Sequence, residues 1–452
     1  MNRLALQALA AIVATAPASA ETLEGALAKA YAASPTVNAQ RANVRGVDEN
    51  VPRVLSAARP RVTGTADVGA SFTESSNDGQ SNSALTAPRG VGVQVEQSIF
   101  NGNRTSNGLR QAESQILAAR EQLRTSVQNV LFDAASIYMN VLRDTAILNL
   151  QQNNVEVLDE QLRQVRDRFQ VGEITRTDVA QSEARLAASR SQASLSESNL
   201  RANIARFRQV VGVQPRQLAP GRPIDRLVPG NLDTAIRISL SENPAIMAAQ
   251  HAFDAAETQV KVVEGELLPS VGLVGSASQR FDNQVSGDQR FNAQVVARLS
   301  VPIYEGGEVY ARVRQAKEVA GQRRIEVEIA RDQVRASVIA AWGSLEAAKA
   351  QILAAQAQVA AAETALTGVR EEARVGQRTT LDVLNSQQEL LNARVNLITA
   401  QRDRVVASYA VVQAMGRLDA GHLRLASGRY DPKVHYDQVK GLWYGTQTPS
   451  GD

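Results

Sequence analysis

The chain is written twice, and that duplication limits its folds more than any other feature. Leu23, Ala26 and Pro35 in TLEGALAKAYAASP return as Leu232, Ala235 and Pro244 in NLDTAIRISLSENP, 209 residues later. Pro60 returns as Pro269 at the same displacement. Further along the displacement is 204: Ile99-Phe100-Asn101-Gly102 answers Ile303-Tyr304-Glu305-Gly306, and Arg110-Gln111-Ala112 answers Arg314-Gln315-Ala316. Tyr138 and Trp342, Val171-Gly172 and Val375-Gly376, Asp178-Val179 and Asp382-Val383, and Gly212 and Gly416 keep that spacing. Aligned Pro and Gly punctuation is not an accident of an Ala/Gln-rich composition, so one structural unit is used twice. The repeats run over 21–220 and 221–418, followed by a tail, 419–452. The first repeat carries about five extra residues between Pro60 and Ile99.

Residues 1–20 have the form of a secretory signal peptide. Arg3 supplies the positive start, Leu4 to Val13 the apolar stretch, and Ala18-Ser19-Ala20 the small-residue cleavage pattern. There is no cysteine, which excludes disulfides and a lipid anchor on a cysteine. Only three histidines occur, His251, His422 and His435, far apart in sequence, so no metal site is expected. Basic and acidic residues, 49 and 46, are interspersed without basic blocks among aromatics, which argues against nucleic acid as a partner. Aromatics make up only 4%, as in long helices with narrow seams rather than a large globular core. After the leader no run of 18 apolar residues occurs. A membrane role would therefore use strands.

Each repeat reads as a short helical segment, two alternating stretches, and two long helices joined by a turn. The alternating stretches predict strands over about 61–74, 89–100, 270–281 and 289–301. Val62, Gly64, Ala66, Val68, Ala70 and Phe72 share one face, opposite Thr63, Thr65, Asp67 and Ser71. Phe291, Ala293, Val295, Ala297, Leu299 and Val301 alternate with Asn292, Gln294, Arg298 and Ser300. Period-two runs of this length are the signature of a transmembrane β-barrel, and they equally fit an amphipathic sheet over a soluble core. The polar stretches Thr73–Pro88 and Asp282–Asp288 read as external loops and favour the barrel. Four strands cannot close a barrel, and an open edge in lipid is not tolerated. Three copies would supply twelve strands around a cyclic axis.

The long helices are expected over about 104–170, 176–212, 308–373 and 380–416. Val338, Leu345, Ile352, Val359 and Leu366 recur every seventh residue, with Ala341, Ala348, Ala355, Ala362 and Val369 three residues behind each. Leu384, Leu391, Ile398, Val405 and Val412 mark the returning helix, and Ala134, Val141, Leu148, Val155 and Leu162 the outgoing helix of the first repeat. A strict seven-residue period implies supercoiled antiparallel pairs. At ~1.5 Å per residue the first long helix would reach roughly 100 Å.

Between the helices stand two turns, Phe169 to Asp178 and Ala373 to Asp382. Gly172 and Gly376 read as helix C-terminal glycines, and Thr177-Asp178, with Thr379, Thr380 and Asp382, as N-capping groups. If the turns form the far mouth of a duct, Arg378 could bond Asp178, Thr177 or Asp382 on neighbouring helices and hold it shut. A ring of Asp382 carboxylates in a cyclic trimer would favour cations.

Together, the duplication, the strand pairs, the SIFNGN and VPIYEGG segments and both VG turns resemble the TolC family of outer-membrane efflux and type I secretion channels. The resemblance covers essentially the whole mature chain. It implies a mainly α fold, an α-barrel of antiparallel coiled-coil helices with four strands per chain in a trimeric twelve-stranded transmembrane β-barrel. The implied partners are two further copies of the chain, a periplasmic adaptor protein, an inner-membrane transporter (ABC or proton-driven) and outer-membrane lipid. No cofactor and no catalysis are expected. The implied periplasmic gate comprises Thr177, Asp178, Arg378 and Asp382. Ala373 stands where a gate tyrosine can occur, and Asn385 where a second ring aspartate can occur, so Phe169 could pack in place of the tyrosine. The tail around Tyr430-Asp431-Pro432 and Trp443-Tyr444 is similar to the type I secretion branch, is too polar for a strand, and is expected to wrap the tunnel. Two other classes meet part of the pattern. A periplasmic adaptor has one hairpin rather than two, and a structural coiled-coil protein has no use for the strands.

Overall fold

The computed structural model describes residues 21–77, 80–283, 286–426, 428 and 430–449. The leader expected over residues 1–20 lies outside that set. Contacts gather the chain into two compact units that do not follow the sequence repeats. One comprises Met1–Asn38, Ser126–Glu242 and Arg335–Arg429; the other Ala39–Thr125, Asn243–Val334 and Tyr430–Asp452. Each draws on both repeats.

Three helices come first, α1 (Leu23–Ala33), α2 (Pro35–Asp48) and α3 (Asn50–Leu55). Thr22 caps α1 by accepting from the Gly25 amide. The strands β1 (Arg61–Val68), β2 (Ser71–Asn77), β3 (Gln80–Thr86) and β4 (Arg89–Asn101) follow. Helices α4 (Arg104–Gln170) and α5 (Arg176–Val211) complete the first repeat. The second holds α6 (Leu232–Glu242), α7 (Pro244–Glu264), β5 (Ser270–Phe281), β6 (Gln289–Ser300), α8 (Glu308–Arg374) and α9 (Thr380–Ala414). Asn243 caps α7 ahead of Pro244, whose missing N–H costs nothing at the first helical position. A last helix, α10 (Lys433–Val439), lies in the tail.

The first strand departs from the sequence expectation. It ends at Val68 rather than near residue 74, and Thr73–Pro88 is no open loop. There β2 and β3 form their own antiparallel hairpin, Ser71 opposite Thr86. Ser71 and Thr73 take alternate positions at the start of β2, a pattern that a strand accepts as readily as a loop does.

The remaining strands build one antiparallel sheet in the order β1-β4-β5-β6. Val62 opposes Val95, Val95 opposes Gly275, and Gly275 opposes Val295, so the two repeats meet at the central β4–β5 pair. The register slips between Ser98 and Phe100, where β4 approaches the helices. β1 and β6 are the sheet's edges, and every residue of both is exposed. Phe291, Val295 and Leu299, on one face of β6, are 69%, 74% and 64% exposed.

The helices bury the expected seams. In the first unit Val338 and Leu345 of α8, Leu391, Val405 and Val412 of α9, and Ala134, Val141 and Leu162 of α4 are all buried. Each fully buried Leu or Val contributes about 2 kcal/mol of apolar transfer. Leu158 and Leu162 of α4, Leu186 of α5 and Leu384 of α9 form one cluster, so the two helical hairpins share a core close to their turns.

Candidate functional site: the paired helical turns

Both turns are built the same way. α4 ends at Gln170 and α8 at Arg374, and Gly172 and Gly376 then take positive φ, 77° and 79°. Only glycine adopts that left-handed conformation without strain. The next helix opens with a reciprocal capping box. Thr175 accepts from the Asp178 amide at 3.3 Å, while the Thr175 amide donates to Asp178 Oδ2 at 3.0 Å. Thr379 and Asp382 repeat this at 3.2 and 3.0 Å. Each box satisfies backbone donors that a helix start would leave unpaired.

The boxes correct one expectation. The first cap is Thr175, not Thr177, which stands exposed one residue into α5's first turn. Within the chain Asp178 and Asp382 face their own helix starts rather than neighbouring helices. Arg378 donates through Nε to Glu372 Oε2 at 2.8 Å, a partner not anticipated in the sequence. Asp382 acts on Arg378 only through its charge. Asn385 accepts from Arg185 Nη2 at 2.7 Å, tying α9 to α5, and Phe169 remains 42% exposed.

The electrostatics follow from these contacts. Hydrogen bonds from the Thr379 amide and hydroxyl, helped by the Arg378 charge, hold Asp382 below the usual carboxylate range. The Glu372 hydrogen bond, then the charges of Glu372 and Asp382, push Arg378 further up. In the first turn Arg168 donates to Glu173 at 2.8 Å and pulls its carboxyl down. Arg168 and Glu372 occupy equivalent positions, 204 residues apart, so the same site carries opposite charges in the two turns. Both turns line one groove of about 860 Å³, which includes Arg168, Glu173, Asp178, Arg374 and Arg378.

Among the described residues no group of His, Cys, Asp or Glu is gathered to hold a metal. No helix among them is long and apolar enough to cross a membrane.

The CmeC outer membrane channel of Campylobacter jejuni superposes with a TM-score of 0.78 at 17% identity, over 93% of this chain and 89% of that one. A family model described as outer membrane efflux protein matches residues 26–213 and again 235–417, once per repeat. The chain belongs to the outer membrane efflux protein family. Outer membrane efflux protein BepC of Brucella suis is 41% identical, covering 96% of this chain and 94% of BepC. Alkaline protease secretion protein AprF of Pseudomonas aeruginosa is 26% identical, over 75% of this chain and 72% of AprF.

Proposed function

We propose that three copies of this chain form a gated exit duct in the outer membrane, passing drugs or proteins from the periplasm to the outside. The observation that carries this is the sheet: four strands with both edges unpaired in the chain and an exposed apolar face on β6. Unpaired edges are not stable in hydrocarbon. Joining β6 of one copy to β1 of the next removes every edge and gives a closed twelve-stranded wall. The α-helical hairpins would then form a tunnel in the periplasm, where an adaptor protein and an inner-membrane transporter engage it. Relatives named for efflux and for protease secretion align with most of this chain, which supports the reading, and the cargo would be chosen by the inner-membrane partner. The duct is passive: it needs no cofactor and performs no catalysis.

The turns would form the periplasmic mouth, with Thr177, Asp178, Arg378, Asp382 and Asn385 around it. Gly172 and Gly376 set its bends. Arg378, shared between Glu372 and Asp382, is placed to exchange an intrachain partner for one on a neighbouring copy as the mouth opens.

The test is biochemical. Detergent-extracted protein should run as a trimer that heating dissociates, and should give discrete conductance steps in planar bilayers. A monomer recovered in the soluble fraction without detergent overturns the duct.

A further inference from the structure

The tail carries an apolar cluster that the duct does not explain. Leu442, Trp443 and Tyr444 are 42%, 65% and 93% exposed, although α10, just before them, is docked firmly. Their position is set by one residue. Arg59 donates from Nη1 to the Leu442 carbonyl, and its guanidinium lies 4.7 Å from the centre of the Trp443 ring. Arg59 stands two residues before β1 begins, and the neighbouring Ala58 carbonyl accepts from Gln97 Nε2 of β4 at 2.7 Å. The tail is thereby held at the foot of the sheet, at the end where β4 runs into α4. This foot holds further exposed apolar residues, Ile99 and Phe100 of β4 and Ile303 and Tyr304 after β6.

We propose that Leu442-Trp443-Tyr444 is an interfacial anchor, lying in the phospholipid headgroup layer of the outer membrane's periplasmic leaflet. The chemistry fits that layer better than water or hydrocarbon. Trp and Tyr combine an apolar ring with one polar group, which is why they gather at membrane–water boundaries. Arg59 and Arg61, on either side of Pro60 at the start of β1, bring positive charge to the same foot, suited to lipid phosphates. The anchor continues the apolar face of the strands downward into the interface. It would fix the depth of the sheet through contacts that lie outside the barrel wall. The inference rests on reading the sheet as a membrane wall, and the experiment separates the two.

Trp443 shares the chain with only one other tryptophan, Trp342. The full-length Trp342→Phe protein is reconstituted in phosphatidylethanolamine/phosphatidylglycerol vesicles that carry nitroxide-labelled lipid. A second protein, Trp342→Phe/Trp443→Phe/Val295→Trp, places the reporter midway along β6. The anchor requires Trp443 to be quenched by headgroup nitroxide about twofold more than by mid-chain nitroxide, and shielded from aqueous iodide. The wall requires the residue-295 reporter to be quenched by mid-chain nitroxide. If that reporter responds while Trp443 is quenched by iodide alone, or by neither probe because a neighbouring copy covers it, the anchor is overturned and the duct stands. If the residue-295 reporter ignores lipid quenchers, the wall reading fails, and the anchor fails with it.

Discussion

His435 Nδ1 lies 3.0 Å from Asp48 Oδ2, across 387 residues of sequence, with both side chains sealed from solvent. The pair fastens α10 to the end of α2. Around it, Arg120 approaches Asp48 Oδ1 at 3.8 Å, donates to the Pro432 carbonyl, and lies over the Tyr436 ring. Tyr436 in turn packs on the cluster of Val51, Ala112 and Ile116. Removing one buried partner strands the other, so Asp48→Ala should loosen α10 by about 2 kcal/mol. Tryptic cleavage at Lys433 and Lys440 should accelerate accordingly, and an unchanged rate would show that apolar packing alone holds the tail.

The same pair has a pH signature. Burial pushes the Asp48 carboxyl above its usual range, outweighing the His435 hydrogen bond and the Arg120 and His435 charges that pull it down. A raised value favours the protonated group in the docked state. Asp48's contribution is therefore fully present below the ordinary carboxylate range and is lost as pH rises through the raised value. Asp48→Asn should abolish that slope. Hydrogen exchange of the α10 amides, corrected for intrinsic pH dependence, reads it directly.

Tyr138 should behave as a second structural tie. Its hydroxyl sits 2.7 Å from the Glu21 carbonyl and 2.6 Å from that of Ala219, where the segment before α1 pairs with the chain after α5. Tyr138→Phe should cost about 1 kcal/mol, read as a lower denaturation midpoint. Burial, then the charges of Glu21 and Glu24, push this phenol up to about 12. Stability from Tyr138 is thus intact below the ordinary phenol range and falls as pH rises toward that value, a loss the Phe variant should lack.

How much of this was readable in the sequence depended on periodicity. The seams of α4, α8 and α9 were legible because Val141 and Leu162, Leu345 and Leu366, and Leu391 and Val412 each lie a whole multiple of seven residues apart, a spacing that only supercoiled helices need. The repeat was legible from its Pro and Gly positions. The β2–β3 hairpin was not, since a Ser- and Asn-rich stretch reads as a loop whether or not it pairs. Thr175 was missed although its signal was there: Thr175 and Asp178, like Thr379 and Asp382, are three residues apart, the spacing of a capping box. The Arg378–Glu372 pair crosses a turn whose geometry had to be seen. Nothing local could have joined His435 to Asp48.

The mouth should titrate as its hydrogen bonds dictate. Asp382 is held below the usual range by Thr379, so its charge is present above ordinary carboxylate values and disappears only as pH falls through the depressed one. If Asp382 residues ring the pore, cation preference in reversal-potential measurements should survive mild acid and then collapse. Thr379→Ala should move that collapse to higher pH, and Asp382→Asn should remove the preference at every pH. Arg378→Ala should raise single-channel conductance. Unchanged conductance and selectivity in all three would place the constriction elsewhere.

The trimer makes the most demanding prediction, because it specifies which strands must touch. β1 and β6 are the sheet's outer strands, and they run from opposite repeats. β1 pairs antiparallel with β4, β4 with β5 and β5 with β6, so successive strands alternate direction. A fourth antiparallel pairing, β6 with β1 of the next copy, preserves the alternation around the whole ring. The chain contains no cysteine, so engineered thiols report without background. With Thr65→Cys fixed in β1, cysteines placed one at a time along β6 should form interchain disulfides in a single register. Neighbouring positions should react alternately, because successive side chains point to opposite faces. Closure around three copies should yield a covalent trimer under non-reducing conditions and nothing larger. Cross-linking that stops at dimers, extends into a ladder, or lacks the two-residue period would rule out a closed barrel of this topology.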